Sequence, residues 1–282
     1  MVKEFNWLHM KNLIKKIRRW NNQRIGGRRE SNKNILNHPH RLGILGIMKN
    51  ESMNILEWVE HYQNEGVTAI YLIDNGSTDD TIEKIQGHIQ SGLVKLIMLP
   101  EKHKQKQHYW TAFEHFKINE TCQWLIIADI DEFWFCKDGT KLNDIWPQYH
   151  GYDVVYVNWS IFGSNGYDKH PSSLRKSLTK KQTHLTSNMF TKWACRSSII
   201  QSIENIDIHK VIGGCSSRTI ADNQMFQINH YVIQSKEYFE KVKMTRGDVI
   251  KAMNDDVRDW AYFERYEVTC TETDEVLSKR IN

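Results

Sequence analysis

The first half of the chain alternates between unbroken apolar runs and apolar residues at helical spacing. Arg41–Met48 is an apolar run that is typical of a buried strand. The apolar residues that follow recur every three or four positions, which predicts a helix with Asn54 as its N-cap, Glu57 completing a capping box and Gly66 at its end. Further strands are predicted at Ala69–Ile73, Val94–Leu99 and Trp124–Ala128, with helices between them that carry Ile82, Ile85 and Ile89, then Tyr109, Phe113 and Phe116.

This alternation of strands and helices across short loops favours an α/β fold with a mostly parallel, Rossmann-like central sheet that is flanked by helices. In such a sheet, ligands bind at the carboxyl ends of the strands. Asp74 directly follows the second predicted strand, and Asp129 and Asp131 follow the fourth. We therefore expect these three carboxylates to face one ligand.

Beyond Phe133 the alternation fades, which predicts a mixed region without a regular order of elements. We interpret residues 39–282 as one domain, with a nucleotide-binding half at 39–135 and an acceptor-binding half at 136–282. Residues 163–182 are rich in Gly, Ser, Asn and Lys, which is typical of a loop. The other elements predicted here are a helix at Leu142–Tyr149, strands at Asp153–Phe162, Asn188–Cys195 and Gln224–Ile233, and a helix at Lys236–Lys243.

Residues 1–38 differ from the rest of the chain because their charge is largely of one sign. Eight Lys and Arg residues and no acid lie between Lys11 and Arg29, with apolar residues among them at roughly helical spacing. This pattern predicts a basic amphipathic helix that rests on an anionic membrane. A solvated arm, or a helix packed on the domain, is the alternative interpretation. Basic residues elsewhere are mixed with acids, so nucleic acid is not an expected partner.

The composition is that of an ordinary globular protein, with 40% apolar and 26% charged residues among 282 and a net charge of +4. Five scattered cysteines without a C-x-x-C spacing favour a reducing compartment over a disulfide framework or a zinc site. No apolar run approaches the ~20 residues that span a bilayer, and Met1–Trp20 lacks the apolar core of a signal peptide. We expect a cytoplasmic protein that the basic arm holds peripherally at the inner face of a membrane.

Asp129-Ile130-Asp131-Glu132 is the most informative candidate site in the sequence. In an extended segment, residues two apart point to the same side, so the two Asp carboxylates would converge. Two convergent carboxylates suit a hard divalent cation that also contacts phosphate oxygens, Mn²⁺ or Mg²⁺. Such a cation would neutralise the charge that develops on a diphosphate leaving group. The alternative is a pair of exposed acids that cap the end of a strand.

The turn Asp74-Asn75-Gly76-Ser77-Thr78-Asp79 is the second candidate site. Asp74 would accept a hydrogen bond from a ring N–H of a base, while the turn lies along the nucleoside. Alternatively, the segment is a well-formed turn in which Ser77, Thr78 or Asp79 caps the next helix.

Three motifs taken together resemble the GT-A glycosyltransferases, above all those of the family 2 and family 92 type. They are Lys49-Asn50-Glu51 after the first strand, the turn that begins at Asp74, and Asp129-Ile130-Asp131-Glu132-Phe133 after the fourth strand. The resemblance is specific from about Leu42 to Phe135 and continues more weakly to Tyr231. It implies the GT-A fold, a nucleoside-diphosphate sugar donor, a Mn²⁺ or Mg²⁺ cofactor and a glycan or glycolipid acceptor.

The resemblance also implies roles for single residues. Asp74 would contact the base, Asp129 the ribose or the metal, and Gln107 the nucleotide. Asp131 would bind the metal, and His230, on a late strand, would complete the metal shell.

Lys236, six residues after His230, would then contact the diphosphate. From their charge and their place in a predicted helix, Lys241 and Lys243 would either neutralise phosphates or form the solvated face of that helix.

The general base is not fixed by any motif. An inverting enzyme of this kind needs a base that removes the proton from the acceptor hydroxyl. Glu132 is adjacent to the metal pair, and His209 shares a short segment with Asp207. We favour His209 and keep Glu132 as the second candidate, in a hexosyltransferase that acts with inversion.

Two other functions fit parts of the pattern. In phosphohydrolases of the haloacid dehalogenase type an apolar strand also ends in Asp-x-Asp, and the first Asp is the nucleophile. Phe133 stands where that class has Thr or Val, and Ala252 stands where it has an acid. A non-catalytic nucleotide-binding or sugar-binding module is the third possibility; the presence of both Asp129 and Asp131 argues against it.

Overall fold

Four parallel strands form the first part of the sheet in the computed structural model, which describes residues 38–183, 190–245 and 258–281. They are β1 (His40–Met48), β2 (Ala69–Asp74), β3 (Val94–Met98) and β4 (Cys122–Ile127). Their order in space is β3-β2-β1-β4, and each neighbouring pair is parallel. β1, β2 and β4 are largely buried on both faces, which explains why they occur in the sequence as continuous apolar runs, whereas β3 at the edge of the sheet is partly exposed. The α/β class predicted from the sequence is confirmed.

The sheet continues beyond β4 with mostly antiparallel neighbours, so the second half is mixed, as predicted. β8 (Thr191–Arg196) pairs antiparallel with β4, and β6 (Val154–Phe162) pairs antiparallel with β8. The long strand β6 changes partner along its length, because residues 154–158 pair with β8 and residues 159–162 pair with β10 (Phe226–Tyr231). The remaining strands are β5 (Glu132–Cys136) on β10, β9 (Thr219–Ala221) and β7 (Lys180–Gln182) on β6, and β11 (Cys270–Thr273) on β7.

Helices cover both faces of the parallel strands. α1 (Ile55–Asn64) packs Trp58 and Tyr62 into one core with residues of β1 and β2. α4 (Gln105–His115) packs Tyr109 and Phe113 into the core on the other face. The other helices are α2 (Thr81–Lys84), α3 (Gln86–Gln90), α5 (Ile118–Thr121), α6 (Leu174–Ser177), α7 (Lys236–Lys241) and α8 (Trp260–Glu267).

Several local predictions need correction. Asn54 does precede α1, but no capping box forms, because the Asn54 amide donates to Glu51 and the Glu57 carboxylate accepts from the backbone N–H of Leu174 at the start of α6. The predicted loop 163–182 contains α6 and β7. The predicted helix at 142–149 is reduced to a 3₁₀ turn at Trp146–Tyr149.

The basic arm and the absence of a membrane-spanning helix were the two predictions about membrane contact, and the second falls on residues that the structure describes. The basic arm lies outside the described residues apart from His38. Within the described ranges, no helix combines the length and apolar character needed to cross a bilayer.

Candidate active site

One edge of the sheet brings the two candidate motifs together. β2 and β4 both run parallel to β1, so Asp74 at the end of β2 and Asp129 just after β4 lie at the same edge. Between β4 and β5 the chain turns at residues 129–132, where Asp129 accepts a backbone hydrogen bond from Glu132. The Trp58 indole of α1 donates to the carbonyl oxygens of Asp129 and Glu132, at 2.9 and 3.1 Å. Packing of α1 therefore fixes the turn that carries the acidic motif.

Asp129 faces a buried lysine. Its Oδ2 lies 2.8 Å from Nζ of Lys192, a β8 residue whose side chain is fully buried, and its Oδ1 accepts from the Tyr109 hydroxyl at 3.5 Å. Burial alone would lower the pKa of Lys192, but the carboxylates of Asp129 and Glu132 raise it above its ordinary value. Burial would likewise raise the pKa of Asp129, and Lys192 keeps it below its usual value. Both groups are therefore charged at neutral pH.

Glu132 lies inside the protein. Its Oε1 is 3.3 Å from Lys192 Nζ, and its Oε2 accepts from the backbone N–H of Asp129 at 3.1 Å. Burial raises the pKa of Glu132 well above its usual range, and the charges of Asp129 and Asp131 add to this against the lowering by Lys192. The carboxyl group is thus turned towards the turn and Lys192, which suits a role in positioning Asp129 better than contact with an acceptor.

Asp131 is buried between a lysine and a histidine. Its Oδ2 lies 2.5 Å from Nζ of Lys243, just after α7, and 3.6 Å from Nε2 of His230 on β10. Burial alone would raise the pKa of Asp131, but Lys243 and His230 hold it well below its usual range. The backbone N–H of Tyr231 donates to the Asp131 carbonyl at 2.9 Å, which joins β10 to the turn. We call Asp129, Asp131, Glu132, Lys192 and Lys243 the carboxylate–lysine centre.

The predicted set of three metal ligands is not assembled in this arrangement. Asp129 is directed to Lys192, and within the described ranges no three His, Cys, Asp or Glu residues are grouped as a metal site. Asp131 and His230 do fit as a pair, because their donor atoms are an oxygen and a nitrogen 3.6 Å apart. Mg²⁺ in phosphate-binding sites is commonly held by one or two carboxylates together with substrate phosphates. The Lys243 ammonium now neutralises the oxygen that such a cation would use.

His209 and His230 both contact the ring of Trp159. The Trp159 ring centroid is 4.3 Å from that of His230 and 5.1 Å from that of His209. Nδ1 of His209 lies 3.2 Å from the carbonyl oxygen of Thr191. Since a carbonyl oxygen only accepts, Nδ1 carries the proton and Nε2 has a lone pair. Burial lowers the pKa of His209, and Lys192 lowers it further, so the ring is neutral at pH 7.

Asp74 takes part in its own turn and keeps one oxygen for a ligand. Its Oδ2 accepts from the backbone N–H groups of Gly76 and Ser77, at 3.1 and 3.0 Å. Its Oδ1 is buried and has no hydrogen-bond partner in the described part of the chain. At the far end of the turn, Asp79 accepts from Thr81 at the start of α2. The turn and the predicted base contact are therefore compatible.

Gln107 and Lys236 are both exposed side chains. Gln107 is exposed in the first turn of α4, whereas Gln105 of the same helix donates to the Tyr109 hydroxyl at 3.3 Å. Lys236 is exposed and pairs with Asp168 at 2.8 Å. The cation that contacts the acidic motif from this part of the chain is Lys243.

Comparison with known proteins agrees with the resemblance to the family 92 type that the sequence motifs indicated. The profile of glycosyltransferase family 92 matches residues 45–274. A glycosyltransferase family 92 protein of Ricinus communis is 23% identical over 223 residues, which are 72% of this chain and 37% of that protein. One of Oryza sativa subsp. japonica is 24% identical over 214 residues, 74% of this chain and 36% of that protein. The chain thus spans little more than a third of the length of these relatives.

Among solved structures, the mannosyltransferase PcManGT of Pyrobaculum calidifontis, in complex with GDP-Man and Mn²⁺, is similar in part. It is 13% identical, with 82% of this chain and 66% of that chain covered, and the TM-score is 0.47.

Proposed function

Because the chain belongs to glycosyltransferase family 92, we propose that it transfers a hexose from a nucleoside-diphosphate sugar to a hydroxyl group of a glycan or glycolipid. One observation carries this proposal: a single sheet edge holds both the carboxylate–lysine centre and Asp74, whose buried Oδ1 has no hydrogen-bond partner among the described residues. A nucleotide that binds Asp74 with its base would reach the centre with its diphosphate.

In this proposal, different residues contact the base, the ribose and the diphosphate of the donor. Oδ1 of Asp74 accepts from a ring N–H of the base, and Asp129 contacts the ribose while Lys192 holds its carboxylate in place. Asp131 and His230 would hold a Mn²⁺ or Mg²⁺ ion, which when bound supplies positive charge to the leaving diphosphate. The Lys243 ammonium, close to Asp131, adds to the positive charge at the same place.

We assign the general base to His209. The lone pair on Nε2 and the lowered pKa support this role, since a neutral imidazole can accept the proton of the acceptor hydroxyl. The deprotonated oxygen then forms a bond to the anomeric carbon from the side opposite the diphosphate, the bond between that carbon and the diphosphate oxygen breaks, the nucleoside diphosphate leaves, and the configuration inverts. One base and no covalent intermediate are needed. The buried position of Glu132 disfavours it as the alternative base.

Family membership counts against both alternative functions, and the contacts of the site add one argument against each. In a haloacid dehalogenase-type phosphohydrolase, Asp129 would be the nucleophile, yet its Oδ2 is engaged by Lys192. A non-catalytic module would not need the full carboxylate–lysine centre, and turnover decides this point. We also propose that the basic arm brings the protein to an anionic membrane at its cytoplasmic face.

A donor screen tests the proposal. The full chain is incubated with UDP-glucose, UDP-galactose, UDP-N-acetylglucosamine or GDP-mannose, with Mn²⁺ or Mg²⁺, and release of the nucleoside diphosphate is measured. Asp131→Asn should reduce release at least about 100-fold, since electrostatic stabilisation of the leaving group is lost. Asp144→Asn is the matched control, because Asp144 is an exposed acid paired with Arg41. Equal turnover by Asp131→Asn and the wild type would contradict the assignment.

A further inference from the structure

Aromatic rings form a continuous row from the acidic motif to the protein surface. The row begins at His230, beside Asp131, and continues through Trp159, whose ring centroid is 4.3 Å from that of His230. His209 and Phe190 follow, with centroids 5.1 and 5.5 Å from that of Trp159 and 5.0 Å from each other. Phe190 is 55% exposed. We call His230, Trp159, His209 and Phe190 the aromatic row.

The position of Phe190 in this row distinguishes it from an ordinary exposed apolar residue. A single exposed hydrophobic side chain is common and needs no explanation. Phe190, however, contacts the proposed base His209 and also Trp159, and the Trp159 ring lies 5.9 Å from the Lys192 ammonium that binds Asp129. An exposed aromatic face therefore borders the place where the sugar is transferred.

The strand order determines which substrate this face would meet. From β2, which ends at Asp74, the order runs through β1 and β4 to β8 and then β6. Phe190 immediately precedes β8, and Trp159 lies on β6. The two rings are thus on the side of Asp129 that is opposite Asp74. A nucleotide that extends from Asp74 to Asp129 leaves this side to the sugar acceptor.

We propose that Phe190 and Trp159 form the acceptor subsite and that the acceptor group is a pyranoside ring. This inference rests on the proposed function. One face of a hexopyranose presents mainly C–H groups, which pack on an aromatic ring, while its hydroxyl groups remain at the edge. A pyranoside on Phe190 would have an edge hydroxyl next to His209, where Nε2 can accept the proton. The row would thereby place the nucleophile as well as bind the acceptor.

Two hydrogen bonds fix the backbone of His209. Its backbone N–H donates to the Asp207 carboxylate at 3.1 Å, and its carbonyl oxygen accepts from the Thr191 hydroxyl at 3.2 Å. Ligand sites generally combine an apolar wall with a few fixed polar groups, and the acceptor subsite has this composition.

Direct binding of simple glycosides tests the inference without turnover. Saturation-transfer NMR is measured on the full chain with methyl β-galactopyranoside, methyl β-glucopyranoside and methyl α-mannopyranoside. At least one glycoside should receive saturation at its ring C–H protons, and the signal should be lost in Phe190→Ala but kept in Phe190→Tyr. Leu56→Ala, which removes an exposed apolar side chain on α1, is the matched control and should keep the signal. Thermal melting verifies that all variants are folded.

Kinetics provide the second readout and separate the two proposals. With a donor found in the screen, Phe190→Ala should raise the acceptor KM about tenfold, as expected for the loss of an aromatic contact, and leave the donor KM unchanged. Saturation transfer and acceptor KM equal to the wild type in Phe190→Ala would overturn the acceptor subsite. Glycoside binding that depends on Phe190, without release of nucleotide from any donor, would support the subsite and count against the proposed transferase activity.

Discussion

Replacing Lys192 by Met tests whether the carboxylate–lysine centre depends on its buried ammonium. Nζ of Lys192 is 2.8 Å from Asp129 and 3.3 Å from Glu132, and the side chain is fully buried. Methionine has a similar length and adapts to irregular packing, so the strand contacts should survive. The charge of Asp129 would then lose its partner.

The expected destabilisation follows from the exposure of Asp129. Removing one partner from a fully buried ion pair costs about 3–5 kcal/mol, because it leaves a buried charge uncompensated. The Asp129 side chain is 31% exposed, so water replaces part of the lost interaction. We therefore expect Lys192→Met to lower the free energy of unfolding by about 2–3 kcal/mol at pH 7 and the Tm by roughly 5 °C or more.

The pH dependence has a definite sign. In the wild type the pKa of Asp129 is lowered by Lys192 against the effect of burial, so its stabilisation is present above the unfolded pKa and lost as pH falls through the folded one. Without Lys192, burial and Asp131 would raise the folded pKa of Asp129 instead. The difference in stability between variant and wild type should therefore be small near pH 4 and increase towards pH 8.

Urea unfolding at pH 5 and pH 8, followed by tryptophan fluorescence, measures this effect. Lys106→Met is the matched control, since Lys106 forms an exposed pair with Glu204 and should contribute no more than about 1 kcal/mol. In a double-mutant cycle, Lys192→Met with Asp129→Asn should recover at least about 1 kcal/mol relative to additivity. A loss no larger than that of Lys106→Met at both pH values, with no coupling to Asp129, would refute the reasoning.

Three further predictions concern catalysis, metal and membrane. The plot of kcat/KM against pH should fall on the acid side through a pKa below 6.5, because burial and Lys192 lower the pKa of His209. His209→Gln should remove this acid limb and reduce kcat about 100-fold. An unchanged acid limb in His209→Gln would exclude His209 as the base. His230→Ala should raise the Mn²⁺ concentration for half-maximal activity at least about tenfold. Lys243→Met should lower this concentration, since Lys243 competes for the same oxygen of Asp131. Equal Mn²⁺ concentrations for the wild type and both variants would contradict Asp131 and His230 as the metal ligands. Deleting Met1–Arg29 should reduce cosedimentation with phosphatidylserine vesicles, most at low salt; equal sedimentation would leave the arm without this role.

The parallel strands were predictable because burial on both faces leaves a local signal. The runs predicted at 41–48, 69–73 and 124–128 lie within two residues of the observed β1, β2 and β4. β5 was not predicted, because its first residue, Glu132, belongs to the acidic motif and the apolar run that follows, Phe133–Cys136, has four residues. β7 consists of Lys180–Gln182, three polar residues whose pairing with β6 and β11 depends on long-range contacts.

The lysines that pair with the acidic motif were not predictable either, because these contacts are also long-range. The motif itself follows an apolar strand, and local spacing is enough to identify it. Lys192 and Lys243 meet Asp129 and Asp131 from 63 and 112 positions away, and neither lysine belongs to a local pattern that indicates such a contact. From the sequence, Lys243 was equally consistent with a solvated helix face. A lysine directly before the apolar run Trp193–Cys195 in β8 was the available signal for Lys192.

The charges of the carboxylate–lysine centre explain why a donor and a divalent cation should bind together. Asp129 and Asp131, whose pKa values are lowered, bring two negative charges, and Lys192 and Lys243 bring two positive charges, so these four groups of the centre balance one another. The diphosphate of a nucleotide sugar adds two negative charges, which one divalent cation balances, and UDP or GDP adds at least two. Mn²⁺ should therefore bind the free protein weakly and the protein with UDP or GDP much more tightly, by about tenfold or more, since coupling energies between ligands are typically 1–3 kcal/mol. Calorimetric titration of Mn²⁺ with and without each nucleotide measures this coupling, and equal affinities in both titrations would show that the lysines alone neutralise the diphosphate.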